Sequence, residues 1–79
     1  MMVGLAPVSL TTLSIAASTD FKGSAKRRYL SVYSDVPCNI TIDGATFVLA
    51  AGVPFAPIPA ITNAITVEPI GGTATVMEG

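Results

Sequence analysis

Residues 38–49 read "CNITIDGATFVL", and the fold turns on this stretch. Cys38, Ile40 and Ile42 alternate with Asn39, Thr41 and Asp43, the two-residue period of a strand with one buried face. Asp43-Gly44 is a dipeptide favoured in the two-residue type I′ turn, where both central residues take positive φ. Phe47 and Leu49 then resume the alternation, so the stretch predicts an antiparallel hairpin. A slip of one residue would exchange Ile42 and Thr41 between faces, so the turn also fixes which face is buried.

The flanking sequence follows the same grammar. In "RRYLSVYS" (27–34) Leu30 and Val32 share one face, and Tyr29, Ser31 and Tyr33 share the other. "SDVP" (34–37) supplies a turn. In "PVSLTTLSI" (7–15) the period slips at Thr11 and Thr12, which predicts a bulge or a strand break. Residues 18–25 read as a polar connection. "AITVEPIGGTATVMEG" (64–79) reads as a second hairpin, turning at "PIGG". Between the hairpins, "AAGVPFAPIPAITN" (50–63) holds Pro54, Pro57 and Pro59. Proline cannot donate to a ladder, so the segment is expected to be extended, edge-lying or a long loop. Its apolar residues Val53, Phe55, Ile58 and Ile61 are expected to cover the open end of the sheet or to face a neighbouring subunit. About six short strands with no repeat and no linker predict one all-β domain over residues 1–79. The expected architecture is a small antiparallel β-sandwich or barrel, with a jelly roll among its forms.

Composition predicts dependence on a partner. At 79 residues the chain is near the size at which a core needs a staple. Cys38 is the only cysteine, so no disulfide closes within the chain. There is no histidine, and Asp20, Asp35, Asp43, Glu68 and Glu78 stand singly, so no metal site is expected. Oligomerisation or docking remains. Charged residues are 11% and hydrophobic ones 51%, with a mean hydropathy of +0.67, whereas ordinary domains carry about 25% charged residues. Extended apolar surface of that kind marks contacts. Residues 1–18 lack the basic start of a secretion signal. No run reaches the ~18 apolar residues of a membrane span. A soluble protein with no membrane partner is expected, and the lone thiol suits a reducing cytosol.

Catalysis is not expected. Without histidine the commonest acid, base and metal ligand is missing, and Cys38 has no base to activate it. Its phase with Ile40 and Ile42 predicts a core position. Asp35 and Asp43 fall at turns, where aspartate is favoured for backbone reasons. Neither "GVPFAP" nor "PIGG" has phosphate-loop spacing, and no cofactor is expected. "NIT" at Asn39 fits a glycosylation acceptor but lies inside a strand.

"FKGSAKRRYL" (21–30) contains every basic residue: Lys22, Lys26, Arg27 and Arg28. Five carboxylates offset them, giving net charge −1, where a nucleic-acid binder carries a basic stripe; no nucleic-acid partner is expected. Two readings remain. The charges are solvated side chains that guard apolar strands from aggregation, or they dock on an acidic partner surface. A strand would send Arg27 and Arg28 to opposite faces, so only one of them can join a face-on contact.

From residue 28 to residue 79 the chain resembles small virion structural proteins of tailed bacteriophages. The resemblance rests on "RRYLSVYS", "ITIDGATFVL", "AAGVPFAP", "ITNAITV" and "GTATVMEG". It implies a compact β domain, often trimeric, of the capsid decoration (cement), head spike, tail or neck type. A homotrimer is then expected to bind the major capsid protein or another virion protein in a particle assembled in the host cytoplasm. Lys22, Lys26, Arg27 and Arg28 would meet the shell, and Val53, Phe55, Ile58 and Ile61 the subunit interface. Residues 1–25 fall outside the resemblance and have the length of an arm that reaches a neighbour. The alternative is a carbohydrate-binding spike, tail or neck component with Tyr29, Tyr33 and Phe55 as its platform.

Overall fold

A computed structural model describes residues 10–79 as seven antiparallel strands in two sheets, with no helix among them. The strands are β1 (Thr11–Ile15), β2 (Thr19–Phe21), β3 (Leu30–Ser34), β4 (Cys38–Ile42), β5 (Ala45–Leu49), β6 (Ile65–Pro69) and β7 (Ala74–Glu78). One sheet has the order β1-β7-β3 and the other β2-β6-β4-β5. An isolated antiparallel bridge joins Val32 to Phe55 through two N–H···O bonds of 2.9 Å, adding a rudimentary fourth strand beside β3.

With that bridge counted, the pairing is that of a folded-over hairpin. β1 pairs with β7, β2 with β6, β3 with the Phe55 segment, and β4 with β5. Rolling this ribbon brings β7 onto β3 and β6 onto β4. Eight strands in two four-stranded sheets with this nesting make a jelly roll. The apex of the ribbon is the hairpin at 38–49. Asp43 and Gly44 have φ of 52° and 79°, as the I′ turn requires, and Asp43 tolerates that region better than most residues.

Alternation buries one face of each sheet. Leu30, Val32 and Val76 from the first sheet meet Cys38, Ile40, Ile65 and Val67 from the second, all essentially without exposed surface. Each large aliphatic among them contributes about 1.5–3 kcal/mol by leaving water. The outer face of the second sheet is zipped by cross-strand pairs. Thr66 Oγ1 donates to Asp20 Oδ1 at 2.8 Å, Thr41 and Thr46 share a 2.8 Å hydroxyl bond, and Asn39 Nδ2 donates to Glu68 Oε1 at 3.2 Å.

Two expectations are corrected. The stretch at 64–79 is not a hairpin, because β6 and β7 lie in different sheets and "PIGG" carries the chain across the sandwich. The crossing is tight: Ile70 N–H donates to Pro37 O at 2.9 Å, and a Cβ on Gly72 would lie 2.8 Å from Val36 Cγ1. The polar stretch at 18–25 holds β2, whose three residues are too few to show a period. Within residues 1–25, which have the length of an arm, Thr11–Ile15 and Thr19–Phe21 pair with β7 and β6 of their own chain; residues 1–9, with the start of the slipping stretch, lie outside the described residues.

Candidate functional site

Rolling the ribbon divides the loops between two ends. Residues 22–29, 43–44 and 56–64 form one end, which receives all four basic residues. The other end, 16–18, 35–37, 50–52 and 70–73, has Asp35 as its only charged side chain. The charge concentrated in sequence is thus concentrated in space.

Arg27 ties the basic end together. Its residue is 6% exposed, and all five guanidinium N–H groups have acceptors. Nε and Nη2 donate to Glu78 Oε1 at 3.2 and 3.1 Å. Nη1 donates to Ile61 O at 2.7 Å and Asn63 O at 2.9 Å, and Nη2 also donates to Lys22 O at 2.6 Å. One side chain therefore joins loop 22–29, loop 56–64 and β7. Ser24 N–H donates to Thr62 O at 2.8 Å, and Asn63 Nδ2 donates to Asp43 at 3.0 and 2.9 Å, which ties in the hairpin turn.

The expected docking set therefore divides. Arg27 is spent inside the chain and cannot meet a partner, whereas Lys22, Lys26 and Arg28 are exposed. Among the described residues the only ion pair is Arg27–Glu78. Sequence reading missed the inward turn of Arg27, although Glu78 carries a signal for it. Glu78 continues the buried phase of Ala74 and Val76, and a carboxylate on an inner face needs a cation.

The expected interface set divides as well. Phe55 and Ile61 are half-buried and pack against the core, with the Phe55 ring tilted on Phe47 at a centroid distance of 5.4 Å. Val53 is exposed beside the other loop end. Ile58 is 96% exposed, between Pro57 and Pro59 and joined to Pro59 by a cis peptide bond. It borders a cleft of about 290 Å³ formed by residues 28–30 and 56–60, which includes Arg28 and Tyr29. A second cleft of about 290 Å³ lies at the same end against Lys26, Arg27 and Glu78.

The three rings of the carbohydrate reading do not form one platform. Phe55 lies opposite Val32 and shares its inward face, whereas Tyr33 points outward, and Tyr29 joins it through the continued register of Tyr29 with Gly79. Cys38 is buried in the core. Among the described residues no three His, Cys, Asp or Glu side chains are grouped to hold a metal ion. No protein-family model, curated protein or solved structure matches the chain.

Proposed function

We propose that the chain is a non-catalytic structural module of a phage particle, a capsid decoration or cement protein that docks on the assembled shell through its basic loop end. The observation that carries this reading is the gathering of three exposed cations, Lys22, Lys26 and Arg28, none in an ion pair among the described residues, at one loop end, where the exposed Ile58 lines a cleft with Arg28, on a sandwich whose far end has Asp35 as its only charged side chain. An aliphatic side chain left in water beside fixed positive charge suits a contact with an apolar anchor and a charged rim. The jelly roll supports the resemblance, since capsid domains use it, but the function is argued from the site.

The division of work follows from the geometry. Arg27 holds the loops rigid before contact, which lowers the ordering cost of binding. Lys22, Lys26 and Arg28 steer the module to an acidic surface and fix its register. Burial of Ile58 adds about 2–3 kcal/mol. A module that binds the closed lattice and not free subunits stabilises the lattice by mass action. Co-sedimentation with shells assembled from the major capsid protein of the same virus tests the reading: binding that needs the three cations and Ile58 supports it, and binding indifferent to them overturns it.

A further inference from the structure

We infer that β5 is the edge at which two copies of this chain pair, antiparallel about a two-fold axis at Phe47. An unpaired edge strand offers free N–H and C=O groups to another strand, so proteins blunt such edges by shortness, charge, proline or a bulge. β2 has three residues, Asp20 at its centre and Lys22 after it. The Phe55 edge is flanked by Pro54 and Pro57. β1 (TTLSI) also lacks charge and proline, but it is polar at Thr11, Thr12 and Ser14, whereas β5 (ATFVL) is polar only at Thr46. β5 has none of these devices. Its sequence ATFVL carries no charge and no proline, and its register with β4 runs without a bulge. Phe47 is 41% exposed and Val48 63% exposed.

Pairing rules fix the geometry. In a two-residue I′ hairpin the residues flanking the turn form a hydrogen-bonded pair, here Ile42 with Ala45, and bonded pairs alternate along the ladder. Phe47 therefore spends its N–H and C=O on β4, and those of Thr46 and Val48 face outward. A two-fold axis normal to the sheet at Phe47 sets Thr46 opposite Val48 of the second copy, and Val48 opposite its Thr46. Every outward donor then meets an acceptor. Phe47 meets its own symmetry mate, the inner faces stay on one side, and all five residues overlap. With no charge on β5, self-pairing sets no like charges against each other. Such a self-complementary contact is isologous, so it gives a dimer rather than the expected trimer. One strand edge buries less than the standard ~1,200 Å², so the dimer belongs at high protein concentration. This inference does not rest on shell docking, since none of Lys22, Lys26, Arg28 and Ile58 belongs to β5.

Sedimentation of the full chain across a concentration series tests it. The expected mass rises from 8.0 kDa toward twice that value. Val48→Pro removes an N–H that the intrachain ladder does not use, and Val48→Lys adds an edge charge; each is expected to abolish the rise while the melting transition stays cooperative. Phe47→Cys is expected to form a disulfide-linked dimer, since Phe47 faces its own mate at the axis, and Ala45→Cys is not. A monomer at every concentration, a trimer, or a dimer that survives both Val48 variants would overturn the inference.

Discussion

Arg27 and Glu78 lie 51 positions apart in the chain, and their side chains meet at 3.1 Å. The contact joins the loop after β2 to the last strand. With the carbonyls of Lys22, Ile61 and Asn63 on the same guanidinium, it ties loop 22–29, loop 56–64 and β7 together at one end of the jelly roll. The fork geometry of arginine is needed for this, because a lysine offers three donors from one point.

Arg27→Ala is expected to cost about 3 kcal/mol in urea unfolding, since it strands a half-exposed carboxylate and three carbonyls. Arg27→Lys is expected to recover only part of this. Lys22→Ala and Lys26→Ala, at solvated positions, should stay within about 0.5 kcal/mol of the parent. Equal small losses at all three positions would show that Arg27 is not a clasp.

Gly23 and Gly72 are tight for different reasons. A Cβ at Gly23 would lie 2.9 Å from Ala64 N and Thr62 O, which are backbone atoms, whereas at Gly72 it would meet the side chain of Val36. Backbone cannot swing aside, so Gly23→Ala should destabilise by more than about 1 kcal/mol and weaken shell binding by loosening the loops. Gly72→Ala should leave shell binding intact. The reverse order in a binding assay would place the site at the other end.

Cys38 is 0% exposed and its Sγ lies 3.7 Å from Val36 O. A thiol reagent should therefore modify it only through opening of the core, at a rate that rises with denaturant as global unfolding does. Fast modification in native buffer would show that the β4 face is open.

The sequence was legible where local chemistry decides the outcome. The 38–49 hairpin follows from alternation and Asp43-Gly44, and the buried phase of Leu30 and Val32 from period alone. The partner of a strand is not a local property. β6 and β7 have the pattern of a hairpin, and only the crossing at Ile70 and Gly72, beneath Val36 and Pro37, sends them to different sheets. β2 is too short to show a period. The basic run shows where charge gathers, yet nothing adjacent distinguishes Arg27 from Arg28, because the group that draws Arg27 inward is Glu78 at the far end of the chain.

The most direct test of the docking reading is co-sedimentation of Lys22→Glu/Lys26→Glu/Arg28→Glu, and separately of Ile58→Asp, with assembled shells at low and high salt. The unaltered chain is expected to pellet with shells and to be released as screening shortens from about 10 Å at 0.1 M to about 3 Å at 1 M. Both variants should melt as the parent does and bind at least about tenfold more weakly, ~1.4 kcal/mol or more. A triple variant that melts normally and pellets as well as the parent would contradict shell docking through the basic end.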